Sequence, residues 1–129
     1  MSFKKVRDAH KTENTEDYLE IIADLLNSNG EARIVDIANK LDIAQATANK
    51  TIKRLQSQGY VEKKPYRSIF LTLKGQEVAS ISRKRHVTVL TFLKNLGLDG
   101  KTAEADAEGI EHHVSDKTLK KMEKFNKKN

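Results

Sequence analysis

Three side chains near the C-terminal end have the spacing of a cation site. In Asp106-Ala107-Glu108-Gly109-Ile110-Glu111-His112-His113, residues Glu108, Glu111 and His112 stand at i, i+3 and i+4. On a helix that spacing puts two carboxylates and an imidazole on one face. Asp17 and Glu20 share a face by the same rule, and His86 adds a second imidazole within Arg83-Lys84-Arg85-His86. Carboxylates crowded in a folded protein repel one another, and a divalent cation between them relieves the repulsion. Oxygen ligands with a minority of imidazole and no sulfur favour Mn(II) or Fe(II) over thiolate-seeking metals. The general affinity order still lets Co(II) or Zn(II) bind such a set in vitro.

Each part also has a plainer reading. Glu16, Asp17 and Glu20 suit the start of a helix, where the dipole favours anions. His86 among basic residues also fits an ordinary surface position. The Glu-x-x-Glu-His run is not a zinc-protease motif, because Glu occupies the position where the first histidine would stand. His113 points about 100° away from His112 on an ideal helix and is set aside as a ligand. His10 falls in a Lys-rich N-terminal tail and takes no role.

The elements that must position these groups follow from periodicity. A first helix is predicted from Asn14 or Thr15, either of which can cap it, to Ser28, with Tyr18, Ile21, Ile22, Leu25 and Leu26 at helical spacing. Ile34 to Leu41 reads as a short second helix, and Asp42-Ile43 as a tight link to a third from Gln45 to Gln58. Tyr60–Lys64, the turn Pro65–Ser68 and Ile69–Leu73 then read as strand, turn, strand. A long helix is expected from Lys74 or Gly75 to Leu96, with two shorter ones near 101–113 and 116–126. Val89, Leu90, Phe92, Leu93 and Leu96 are candidates for a dimer face or for core.

Two short helices, a tight turn and a hairpin are the order of a winged helix-turn-helix, whose second helix enters the major groove. Its first residues here are Gln45, Ala46, Thr47, Asn49 and Lys50. Gln and Asn suit adenine edges, and Thr47 suits a base or a phosphate. Lys50, Lys53 and Arg54 suit phosphates, and Lys64 and Arg67 sit where a wing meets the backbone or minor groove. Charge agrees: between Lys40 and Lys74 eight cations face two anions, whereas between Asp99 and Asp116 six anions face one cation. One such reader covers only a few base pairs. Specific binding therefore calls for a dimer on a pseudo-palindromic double-stranded operator, with half-sites about 34 Å apart.

Composition bounds the rest. A chain of 129 residues can hold one or two small domains but no large catalytic architecture. It has no cysteine, which excludes disulfides, thiolate zinc sites and a cysteine nucleophile. No apolar run approaches a bilayer span, and no apolar segment follows Met1-Ser2-Phe3-Lys4-Lys5 to make a secretory signal. The expectation is a cytoplasmic protein that is not an enzyme, with no membrane or small-molecule substrate.

The combination of Glu16-Asp17-Tyr18-Leu19-Glu20, Arg85-His86 and Asp106–His113 around a winged helix resembles the diphtheria-toxin-repressor superfamily. Within it, the resemblance is to the manganese-transport-regulator branch, and it runs from Thr15 to Phe125. It implies a mainly α protein: a winged helix-turn-helix over residues 1–74, then an α-helical metal-binding and dimerisation domain over 75–129. It also implies a homodimeric, metal-activated repressor of manganese uptake genes. The ligands carried over by position are Asp17, Glu20, His86, Glu108, Glu111 and His112, holding one or two Mn(II) ions per chain between the two domains. The iron-responsive branch has sulfur-containing side chains at the positions of Asp17 and Glu108, so the carboxylates here point to manganese. A chain ending at Asn129 is expected to lack the SH3-like domain of the iron regulators. The alternatives are an iron- or zinc-responsive regulator of the same architecture, or a winged-helix adaptor that needs no metal.

Overall fold

The computed structural model describes residues 3–64 and 68–129. Among these it contains six helices and two strands: α1 (Phe3–Asn29), α2 (Ile34–Leu41), α3 (Gln45–Ser57), β1 (Val61–Lys63), β2 (Ile69–Leu71), α4 (Leu73–Asn95), α5 (Gly100–Ile110) and α6 (Asp116–Lys128). The chain divides into two compact units. One spans residues 13–80; the other takes residues 81–129 with residues 1–12. The division falls inside α4, after Ser80.

In the first unit, one apolar face of α1 (Tyr18, Leu19, Ile22, Leu25) packs with Ile37 and Ala38 of α2, Ala48, Ile52 and Leu55 of α3, and Val61 and Ile69 of the hairpin. Asp42 ends α2 in the left-handed region at φ 55°, which lets Ile43 N–H reach back to the Ala38 carbonyl at 3.0 Å. Asp tolerates this conformation better than most side chains. Neither α2 nor α3 begins with a side-chain cap: Arg33 and Ala44 hold those positions without one. The strands pair antiparallel with Glu62 opposite Phe70. Ser68 fastens the hairpin to the loop before α2, its buried Oγ accepting from Ala32 N–H at 2.6 Å. Thr72 Oγ1 donates to the Gly59 carbonyl and accepts from Gly75 N–H, joining the end of α3 to the first turn of α4.

In the second unit, Val89 and Leu93 of α4 meet Ala103 and Ala107 of α5 and Leu119 of α6, with Leu90, Phe92, Ile110, Val114 and Met122 around them. Phe125 of α6 meets Phe92 edge to face at 5.2 Å. Ser115 caps α6 by accepting from Thr118 N–H, as expected, and Asp99 caps α5 by accepting from Thr102 N–H.

The helix ends differ from expectation by more than one residue in three places. First, α1 begins at Phe3, not near Thr15, so its first residues, His10 included, are helix and not tail. The stretch before Thr15 holds neither Gly nor Pro, and Asn14 and Thr15 spend their side-chain oxygens on Arg54 instead of capping. Second, α5 stops at Ile110, with Glu111 as its cap residue and His112–His113 in the turn that follows. That turn tightens to a His113 N–H to Ile110 carbonyl bond. Third, α6 runs on to Lys128. Of the five apolar residues weighed for a dimer face, Val89, Leu90, Phe92 and Leu93 belong to the core cluster, while Leu96 is exposed.

Candidate metal centre and nucleic-acid interface

Residues Ala103 and Ala107 are both fully buried and fix the rotation of α5 about its axis. One position on from each, Glu104 and Glu108 form an exposed row at i, i+4. The buried row continues into Glu111, which is 2% exposed. This carboxylate stands between two imidazoles. Its Oε2 is 2.5 Å from His86 Nδ1 of α4, and its Oε1 is 3.4 Å from His112 Nε2. The other nitrogen of His86, Nε2, lies 3.3 Å from Glu104 Oε2.

Burial works against a charged His86, but the hydrogen bond and charge of Glu111, aided by Glu104 and Glu108, outweigh it and raise its pKa. Donor atoms of Glu108, Glu111 and His112 lie within 4.8 Å of one another, and so do those of His86, Glu104 and Glu108. The set is carboxylate oxygen and imidazole nitrogen without sulfur, which fits a borderline-hard divalent cation such as Mn(II) or Fe(II).

Four of the six expected ligands, His86, Glu108, Glu111 and His112, are thus gathered in the second unit. Asp17 and Glu20 lie in the first, half-buried on α1. Glu104 was not foreseen, although its spacing of four from Glu108 is visible in the sequence.

In the first unit, Gln45, Ala46 and Thr47 open α3 exposed, with Lys50 and Lys53 exposed further along. Two expected DNA contacts are already engaged. Asn49 Oδ1 accepts from Lys63 Nζ at 2.9 Å, and Arg54 donates to Thr15 Oγ1, Asn14 Oδ1 and Gln58 Oε1 at 3.1–3.2 Å. Lys64 is exposed beside the hairpin; Arg67 lies outside the described residues. The role of Lys63 in holding the third helix went unread, since charge alone does not distinguish it from its neighbour Lys64.

Residues 10–69 match the model of the iron dependent repressor N-terminal DNA binding domain, and residues 72–129 match its metal binding and dimerisation domain. The chain belongs to the iron-dependent repressor family. Members of this family with closely similar sequences include the transcriptional regulator MntR of Escherichia coli O6:H1, 46% identical over 98% of this chain and 81% of its own length. MntR of Salmonella typhimurium is 48% identical over 91% of this chain and 74% of its own. Among solved structures, that of the manganese regulator SloR superposes with a TM-score of 0.76 at 31% identity over 86% of this chain. A manganese-dependent transcriptional repressor in complex with manganese gives 0.79 at 28% identity over 87%. The chain spans about half, 52%, of the length of each of these two solved proteins. The relatives in the family are transcriptional regulators, not enzymes. Among the described residues, no helix is long and apolar enough to cross a membrane.

Proposed function

We propose that this family member is a manganese-responsive repressor of manganese uptake genes, acting in the cytoplasm as a homodimer on a pseudo-palindromic operator. The observation that carries the metal assignment is the buried Glu111 carboxylate between His86 and His112, with Glu108 alongside and no sulfur donor. In this reading the ligands are His86, Glu108, Glu111 and His112, with Asp17 and Glu20 as the contribution of the DNA-binding half. Bound Mn(II) supplies positive charge that offsets the repulsion among these carboxylates.

The chain's own residues do the rest. Gln45, Ala46 and Thr47 read base edges from the exposed start of α3, while Lys50, Lys53 and Lys64 hold phosphates, with Arg67 assigned to the wing by its place in the sequence. Metal matters as far as it favours the DNA-competent arrangement of the dimer. A 100-fold gain in DNA affinity corresponds to about 2.7 kcal/mol of coupling.

Solved relatives described as manganese regulators support the choice of ion, as does a carboxylate at both Asp17 and Glu108. Selection from random duplexes, with Mn(II) and then with a chelator, tests the proposal. The expected product is a two-fold motif with half-sites about 10 base pairs apart, enriched only with Mn(II). Equal enrichment under chelation would leave a metal-independent adaptor, and enrichment by Fe(II) or Zn(II) but not Mn(II) would reassign the signal.

A further inference from the structure

We propose that Lys63 of the hairpin sets a base preference of α3: it occupies the carbonyl oxygen of Asn49, so that this amide offers N–H donors and selects guanine over adenine. The inference rests on α3 as the base reader and adds a specificity pair to it.

Asn49 stands at i+4 from Gln45, i+3 from Ala46 and four residues before Lys53, so it shares a face of α3 with these exposed residues. Ala48 and Ile52, on the inner face, are fully buried. Asn49 is half-buried at the border between the two faces, where Lys63 Nζ donates to its Oδ1 at 2.9 Å. The chemistry of the partner fixes the amide orientation. An ammonium has three donors and no acceptor, so it meets the oxygen and not the nitrogen. The end of the amide left for a base is Nδ2, with two N–H groups.

Asparagine reads adenine through two bonds, its oxygen accepting from N6 and its nitrogen donating to N7. Here the accepting end is committed to Lys63, and the N6 amino group of adenine would approach a positive charge. Guanine presents two acceptors on the same edge, N7 and O6. Asn49 supplies a donor for one of them, and the ammonium of Lys63 has N–H groups beyond the one spent on Oδ1.

The backbone brings Lys63 to this place. Tyr60 N–H reaches the Leu55 carbonyl at 3.0 Å, which ties the end of α3 to the start of the hairpin. Val61 then enters the core that holds Ala48 and Ile52. Side chains alternate along a strand, so Lys63 projects from the same face as buried Val61, while exposed Glu62 projects from the other.

Selection from random duplexes with Mn(II) tests the pair, using the full chain and its Lys63→Met, Lys63→Arg and Asn49→Ala variants. Methionine keeps an unbranched stem and removes the donors; circular dichroism checks each fold. The wild type is expected to select guanine at one position of each half-site, and Asn49→Ala to lose preference at that position alone. Lys63→Met should shift it toward adenine by about fivefold or more, the low end of what one base contact discriminates. Lys63→Arg, which keeps donors, should retain guanine. Unchanged base preferences in Lys63→Met, or weakening spread over every position, would overturn the role of Lys63 and leave α3 as the reader. Wild-type selection of adenine at the position that Asn49→Ala relaxes would overturn it equally, whether or not the Lys63 variants fold. A wild-type chain that enriches no motif would overturn both readings.

Discussion

The guanidinium of Arg54 on α3 donates to Thr15 Oγ1 on α1 at 3.2 Å, two residues before Asp17. Asn14 Oδ1 and Gln58 Oε1 take further N–H groups of the same side chain. A residue whose charge and position suggest a phosphate contact therefore ties α3 to α1.

Arg54→Ala is expected to lower stability by about 1 kcal/mol, the usual worth of such hydrogen bonds. It should leave the salt dependence of DNA binding unchanged. Lys50→Ala is the contrast: Lys50 is exposed, and its loss should reduce the salt slope by about 0.9. Denaturant melts and binding isotherms at several salt concentrations check both. An Arg54 variant of normal stability with a reduced slope would restore the phosphate role.

Gly75 provides a test of sign. Replacing a mid-helix Gly by Ala ordinarily stabilises by about 0.5–1 kcal/mol. Here a Cβ would stand 2.1 Å from the Tyr60 carbonyl oxygen, a backbone atom that cannot swing aside. Gly75→Ala is expected to destabilise by about 1–3 kcal/mol, the cost of overpacking. Thermal unfolding decides; a stabilised variant would mean that the first turn of α4 lies further from Tyr60.

The raised pKa of His86 makes opposite pH slopes for the two forms. In the metal-free protein the charged ring is favoured, so its contribution to stability is full below about pH 6.5 and is lost as pH rises through the raised value. Mn(II) needs the neutral ring, so its affinity is expected to climb over the same interval. Melting of the metal-free protein and Mn(II) titrations from about pH 6 to about pH 8 should therefore move in opposite directions. Affinity independent of pH would remove His86 from the ligand set.

Much of the molecule is legible in its residue pattern because the signals are local. The apolar spacing of Ile34, Ile37, Ala38 and Leu41 and the buried Ala48, Ile52 and Leu55 set α2 and α3 to within a residue or two. Ser115 as a cap is equally local. What escaped depends on tertiary partners. Asn14 and Thr15 are good caps by type, and only the approach of Arg54 shows why the helix runs through them. Glu104 has the same spacing to Glu108 as any i, i+4 pair, and its meaning comes from His86, eighteen residues away on another helix.

The central claim is that the cluster around Glu111 binds Mn(II). An anaerobic Mn(II) titration of metal-free protein, followed by electron paramagnetic resonance with excess Mg(II), measures it directly. The prediction is one or two tightly held ions per chain, lost in a Glu111→Ala variant that keeps its helical circular dichroism. No Mn(II) binding above the magnesium background, or identical binding by the variant, would contradict it.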